Sequence, residues 1–269
     1  MSMSYQHIYH AGNPADIHKH LWILAVLGYL QQKDTPLFWC DAHAGRGVYD
    51  LNSTEAQKTQ EFNSGIAKLY HEKIDHPLWS EIKRTIDEIN PDEDSEFYPG
   101  TALMVARRLR AEDRMECYDP HPQEFMHLEK AMSPYKNVLT KEIRIEEGIF
   151  SCTPPKESRG AIFVDPSYEI KTEYKHVPKI VKRVIKKWPN GTYMLWYPML
   201  AQNRHEELKD ACRAIDEAVI FDEWVFDDPK RDGFRGMYGT GMAVFNAPYS
   251  VPETIAECRD IFLPLLKKN

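Results

Sequence analysis

Three aspartates, Asp41, Asp119 and Asp165, each follow a short apolar run. Carboxylates delivered to the tips of buried strands can bind or polarise a ligand, because in an open α/β sheet ligands sit outside the carboxyl ends of the strands. Leu37 to Cys40 precedes Asp41, Met115 to Tyr118 precedes Asp119, and Ala161 to Val164 precedes Asp165. The three acids are therefore expected to face one crevice. After Asp41 comes His43-Ala44-Gly45-Arg46-Gly47, whose glycines let a backbone approach a ligand closely. There is no third glycine in dinucleotide spacing, which favours an adenosyl ligand over a nicotinamide cofactor; a tight turn explains Gly-x-Gly equally well. Asp119 stands where nucleoside-binding sheets place an acid for ribose hydroxyls, although a turn residue before Pro120 is the plainer reading of that position alone. Glu146-Glu147-Gly148 follows another predicted strand, Val138 to Ile145. It offers an acid and a flexible backbone to an adenine ring, or is a surface turn.

The most specific of these segments is Ile162-Phe163-Val164-Asp165-Pro166-Ser167-Tyr168, an apolar strand that delivers an acid, a proline and an aromatic at its tip. It resembles the Asp-Pro-Pro-Tyr motif of amino-methyltransferases. An adenine amine is a poor nucleophile because its lone pair is delocalised into the ring. Asp165 and the Pro166 carbonyl, accepting its hydrogens, would favour a pyramidal amine and stabilise the charge that develops on it. Tyr168 would give a stacking face to a base taken out of its helix. Ser167 replaces the second proline and removes one φ restraint from the loop. A strand end with an ordinary turn is the plain alternative.

These residues need a scaffold. Apolar strand patterns alternate with helical ones, including Tyr193 to Tyr197 before Pro198 and Met242 to Phe245, which signals a mostly parallel sheet in one domain spanning 1–269. About seventy residues separate the Leu37 and Met115 strands, far more than one crossover helix needs. Segment 54–95, helical in pattern and ending in Pro91-Asp92-Glu93-Asp94, is expected to be an inserted helical subdomain. The 269 residues, 42% hydrophobic and 28% charged, suffice for a full core. The longest apolar run, Leu21 to Leu30, is about half of a membrane span, so neither an anchor nor a signal peptide is expected. Five scattered cysteines without paired spacing point to a reduced, cytoplasmic setting. A net charge of −7 argues against holding nucleic acid by bulk electrostatics, so any such contact must be local.

Local candidates exist. Lys171, Lys175, Lys179, Lys182, Arg183, Lys186 and Lys187 follow the Asp165 loop and read as a phosphate rail or a solvated helix face. Lys230-Arg231-Asp232-Gly233-Phe234-Arg235-Gly236-Met237 combines three cations and an aromatic in a glycine-rich loop, or is a flexible connection. Near the N-terminus, Tyr5 to His20 is dense in histidine and aromatics before a predicted amphipathic helix, with Asp16 as its cap. His18 and His20 with His43, Asp41 and Asp165 would suit a metal-dependent nuclease only if a strand presented both rings on one face, whereas the stretch reads as helix. No metal is expected.

Assembled, the chain resembles the bacterial large-subunit ribosomal RNA adenine-N6 methyltransferases that act on 23S rRNA. The resemblance runs through His10-Ala11-Gly12-Asn13, Ala15-Asp16, Lys19-His20, Asp41-x-His43-Ala44-Gly45-x-Gly47, Tyr98-Pro99-Gly100, Asp165-Pro166-x-Tyr168, and Tyr193 with Trp196-Tyr197-Pro198. It implies an α/β, Rossmann-like class I fold with a mostly parallel seven-stranded sheet and an inserted helical subdomain. It implies S-adenosylmethionine as cofactor, held by His20, His43, Thr101, Asp119, Glu147 and Gly148, to which the convergence of strand ends adds Gly45 and Asp165. Catalysis would fall to Asp165, Pro166 and Tyr168. By the resemblance protein-poor 23S rRNA would meet Tyr5, and the local cations add Lys175, Lys179, Lys182, Arg231 and Arg235; no membrane and no obligatory protein partner is expected. Thr101 stands where the family often has serine, Asp119 where it often has glutamate, and Pro14 where it often has histidine. Relatives connected with the use of external DNA supply an alternative role, a cofactor-binding protein without turnover.

Overall fold

The computed structural model describes residues 5–92, 96–234 and 236–267. The chain opens with a 3-10 turn, His7–Tyr9, then α1 (Pro14–Leu30), β1 (Phe38–Asp41), β2 (Val48–Asp50), α2 (Thr54–Thr59), α3 (Ile66–Leu69), α4 (Pro77–Ile89) and β3 (Phe97–Pro99). There follow α5 (Thr101–Ala106), β4 (Arg114–Tyr118), α6 (Pro122–Met132), β5 (Val138–Lys141), α7 (Ile145–Cys152) and β6 (Gly160–Val164). The last third is α8 (Glu173–Lys187), β7 (Thr192–Leu200), α9 (His205–Arg213), β8 (Ile220–Val225), β9 (Met237–Phe245) and α10 (Val251–Leu266).

Seven strands form one sheet in the order β5-β4-β1-β6-β7-β9-β8, parallel except for β9, which runs antiparallel to both neighbours. This is the Rossmann-like class I methyltransferase sheet that the resemblance implies. β1 and β6 are buried along their whole length, which is why they read as continuous apolar runs. Their pairing depends on Gly160: a Cβ there would lie 1.8 Å from the Phe38 carbonyl oxygen. From β1 the chain reaches β4 on one side and β6 on the other, so β1 marks the switch point where a crevice opens. β7 and β9 extend well beyond the apolar segments predicted for them. β8 and the small antiparallel pair β2–β3 were not predicted.

Helix α1 departs from expectation. It is buried on nearly every side rather than amphipathic, enclosed by α4, α5 and α10 and by β6 and β9. Its cap is Asn13, whose side chain accepts the N–H groups of Ala15 and Asp16. Asp16 lies in the first turn and serves another purpose. Between β2 and β3, where helical pattern was expected, α4 buries Trp79, Ile82 and Ile86 and packs on α1, while α3 packs on α10. Val138 to Ile145 is not one strand: β5 stops at Lys141, and Glu146, Glu147 and Gly148 fall in α7. Among the described residues, no helix is long and apolar enough to cross a membrane.

Candidate active site

The sheet brings six of the predicted cofactor residues, His20, His43, Gly45, Thr101, Asp119 and Asp165, to one cleft at the switch point, together with Tyr5. Asp119, just past β4, is held by two backbone donors: Gly45 N–H at 3.1 Å and His121 N–H at 2.8 Å. Gly45 has φ +59°, and a Cβ there would lie 2.0 Å from the Tyr49 hydroxyl, so only glycine admits this approach. Gly100 N–H donates to the Gly47 carbonyl at 2.7 Å, clamping the start of α5 onto the Gly-x-Gly loop. Asp41 takes the Thr101 hydroxyl at 2.5 Å and the His43 N–H at 3.3 Å. It thus ties the loop after β1 to α5.

Burial dominates the electrostatics. It pushes the Asp41 carboxyl up to about 7 and the Asp119 carboxyl up to about 6, against the hydrogen bonds that favour their charged forms. It pulls His20 down to about 4 and His43 down to about 3. His20 is further fixed by stacking on Tyr98, whose hydroxyl lies 3.1 Å from its Nδ1. At neutral pH the His20 and His43 imidazoles are therefore uncharged, and Asp119 is a carboxylate.

A second network reaches Asp165 from the N-terminus. Lys19 Nζ lies 2.8 Å from Asp165 Oδ2 and 3.4 Å from Asp16 Oδ1. Asp16 accepts the Gly12 N–H at 2.9 Å and faces His7 Nε2 with both oxygens, at 3.0 and 2.9 Å. The Tyr5 hydroxyl lies 3.0 Å from His7 Nδ1. Burial raises the Asp165 carboxyl, and Lys19 and His7 only partly offset it. Burial also opposes ionisation of Asp16, but His7 and Lys19 outweigh it and hold that acid well below its ordinary range. Lys19 is desolvated too, yet its two carboxylates keep it raised and charged. Sequence reasoning missed His7, Asp16 and Lys19 as site residues. The signal was present in the Asp16–Lys19 spacing, which places an acid and a base on one helix face.

The loop after β6 differs from the expectation in one respect. Ser167 lines the cleft, but Tyr168 does not. Tyr168, at φ +55°, is buried with its ring 4.5 Å from Tyr174 and 6.0 Å from Trp196. Its hydroxyl donates to the Trp196 carbonyl at 2.7 Å. Placed so, it anchors the loop instead of offering a stacking face, and restrains a segment that lacks the second proline. Pro166 lines an adjoining hollow with Arg144, Ile170 and His176.

Glu147 and Gly148 do not line the cleft. A Cβ on Gly148 would meet the Tyr118 ring at 2.4 Å, so this glycine lets α7 pack on β4. Lys175, Lys179 and Lys182 stand exposed on α8, Lys175 paired with Glu207 at 3.2 Å. Arg231 is exposed and pairs with Asp227 at 3.2 Å; Arg235 lies outside the described residues. The histidine pair of the nuclease alternative is split. His18 turns to Asp222, 2.8 Å from its Nε2, and stacks on Trp224, while His20 faces the cleft. Among the described residues, His205, Glu206 and Glu223 approach one another closely enough to share an ion, but Lys209 already bridges the two carboxylates.

This arrangement has relatives. Residues 34–268 match the family model described as ribosomal RNA large subunit methyltransferase D, RlmJ. The ribosomal RNA large subunit methyltransferase J of Haemophilus influenzae is 33% identical over 99% of this chain and 94% of its own length. The protein of the same name from Escherichia coli is 30% identical, over 93% of this chain and 89% of its own. The crystal structure of protein LPL1258 from Legionella pneumophila superposes with a TM-score of 0.87 at 33% identity, covering 96% of this chain and 94% of that one. A cleft of strand-end acids on this sheet, and a family match over most of its length, lead to one conclusion: the chain belongs to the RlmJ family of ribosomal RNA large subunit methyltransferases.

Proposed function

We propose that this protein transfers a methyl group from S-adenosylmethionine to the N6 amine of an adenine in 23S rRNA, acting in the cytoplasm on RNA free of most ribosomal proteins. The observation that carries the reading is the Asp165 carboxylate, delivered by β6 into the same cleft as Asp119 and held by Lys19. The residues present fit the cofactor. S-adenosylmethionine carries a sulfonium and an ammonium, and the cleft offers Asp119, Asp165 and Glu124 beside imidazoles that burial keeps neutral. Glu124 Oε2 is buried with no hydrogen-bond partner among the described residues, while its Oε1 takes Arg46 Nε at 2.8 Å. A buried acceptor left open at a cleft wall suits a ligand that brings donors. When bound, the cofactor supplies an electrophilic methyl group.

The protein's own residues prepare the acceptor. Lys19 holds Asp165 Oδ2, which leaves Oδ1 to accept an N–H from the adenine amine. That hydrogen bond, with one to the Pro166 carbonyl, draws the amine toward a pyramidal shape and stabilises its developing positive charge. Asp119 accepts the ribose hydroxyls and Gly45 gives the ligand close access to the backbone. Tyr5, lining the cleft mouth beside His7, meets the RNA, as do α8 and the loop around Arg231.

Cofactor affinity should depend on pH with a definite sign. Below about 6 the Asp119 carboxyl is protonated, and above that value it becomes the charged acceptor that the ribose hydroxyls bind best. Calorimetry is expected to show affinity rising about tenfold between pH about 5 and about 7, because such an acid is only about one-tenth ionised one unit below its midpoint. Without ligand the same ionisation is unfavourable, so folded-state stability falls as pH rises from the ordinary carboxylate value of 3.8, the loss being complete at about 6 for Asp119 and about 7 for Asp41. An affinity flat across this window would remove Asp119 from the cofactor's surroundings.

RNA binding should rest on local cations. Replacing Lys175, Lys179 and Lys182 together by Glu is expected to weaken binding of 23S rRNA about tenfold or more near 0.1 M salt and to flatten its salt dependence. Unchanged affinity would take α8 out of the interface. The substrate class itself is tested by offering labelled cofactor with protein-free 23S rRNA or with DNA. Label is expected in the RNA, and label in DNA alone would overturn the choice of substrate.

A further inference from the structure

Trp196, on β7, receives the Tyr168 hydroxyl on its carbonyl, and its indole face is also the third wall around the Lys19 ammonium. Lys19 Nζ lies 4.0 Å from the ring centroid, with Asp165 and Asp16 on its other sides. An ammonium over an indole face is attracted by the ring quadrupole, the more so when desolvated, and Lys19 is buried. The ring is itself held in place. Its N–H donates to the Thr240 hydroxyl on β9 at 2.7 Å. Thr240 Oγ1 also lies 3.3 Å from His18 Nδ1, and His18 Nε2 lies 2.8 Å from Asp222 on β8. Asp222 is a buried hub, taking the indole N–H groups of Trp22 at 2.9 Å and Trp224 at 3.1 Å.

We propose that Trp196 is a positioning residue for methyl transfer: its indole face, locked by Thr240, His18 and Asp222, seats the Lys19 ammonium on Asp165 Oδ2 and thereby orients the carboxylate that receives the adenine amine. The inference rests on Asp165 being that acceptor. The histidine and tryptophans of this network come from helices and strands far apart in the chain, and their common product at the cleft is the fixed position of one ammonium. The Tyr168 hydroxyl bonds to the backbone carbonyl of Trp196, so a side-chain substitution leaves that anchor of the loop in place.

Among the described residues, the charged and titratable groups facing Asp165 include Lys19 and Asp16 from α1, His7 and Tyr5 from the N-terminal segment, Asp41 from β1 and Tyr168 from its own loop. Of these, Lys19 lies over the face of the Trp196 ring, and Tyr168 meets that ring at a tilt. Burial raises Asp165 and Lys19 opposes that rise. A loosened Lys19 therefore lets Asp165 climb further, and activity is lost at a higher pH as the medium is acidified.

The test is the pH dependence of kcat for methylation of 23S rRNA at saturating cofactor, for the full chain and its variants. Trp196→Leu is expected to lower kcat about tenfold, to move the acid limb up by about one pH unit and to leave cofactor affinity within about twofold. Trp196→Phe, which keeps an aromatic face, should recover most of the rate and of the limb's position. Thr240→Val, which keeps the ring but frees its N–H, should move the limb in the same direction by less, and serves if Trp196→Leu fails to fold. An unmoved acid limb in Trp196→Leu, or in Thr240→Val where the former does not fold, would overturn the proposal while Asp165→Asn still abolishes activity. Wild-type activity in Asp165→Asn would instead overturn the reading of Asp165, and the positioning role with it.

Discussion

Asp165→Ala is expected to lose about a hundredfold or more in kcat while S-adenosylmethionine affinity falls much less. Removing a positioned, charge-assisted acceptor from a water-excluded site typically costs that much in rate. In the proposed site most cofactor contacts would come from other strand ends, chiefly Asp119 and the Gly45 loop, whose hydrogen bond the substitution leaves intact. The change also leaves the buried Lys19 ammonium with only Asp16 as a carboxylate partner, so some stability is lost with the activity. Asp165→Asn keeps the volume and a neutral acceptor, and so isolates the part of both losses that comes from the charge. Single-turnover rates and calorimetry on both variants check this, and methylation that survives Asp165→Ala would sink the mechanism.

The second large effect is expected at Asp119. Its two carboxylate oxygens each take a backbone N–H within the fold, and the side chain lines the cleft. Asp119→Ala removes the acceptor for the ribose and also releases the Gly45 loop, whose N–H is left without its partner. Hydrogen bonds to a charged group are worth about 1.5–3 kcal/mol each, so cofactor dissociation should rise roughly a hundredfold. The rate at saturating cofactor should change far less than in Asp165→Ala. Equal affinity in Asp119→Ala and the parent would show the ribose assignment to be wrong.

The site's strand-borne half was legible because parallel strands covered on both faces are apolar without interruption, and the acids at their ends break the pattern visibly. Asp41 and Asp165 were found that way, and Asp119 at the end of β4 although Glu116 interrupts that strand. The N-terminal half was not, because Asp16, His18, Lys19 and His20 look like the polar face of an amphipathic helix. They are buried instead, each satisfied by a partner that local sequence does not announce: His18 by Asp222, Lys19 by Asp165, His20 by Tyr98. β8 was hidden for the same reason, since its Asp222 and Glu223 interrupt the strand pattern while accepting donors from His18, Trp22, Tyr197 and Lys209. β2 and β3 are three residues each, too short to carry a period. The packing of Tyr168 was not legible: the motif tells which residue follows Ser167, but not that Tyr174 and the Trp196 carbonyl draw its ring inward.

The most direct test of the account is methyl transfer from labelled S-adenosylmethionine to 23S rRNA prepared without its own modification, followed by digestion to nucleosides and mapping of the product. The predicted result is N6-methyladenosine at a single position, formed by the parent and lost in Asp165→Asn. Cofactor binding without any methylated nucleoside, or a methyl group on an atom other than adenine N6, would contradict it.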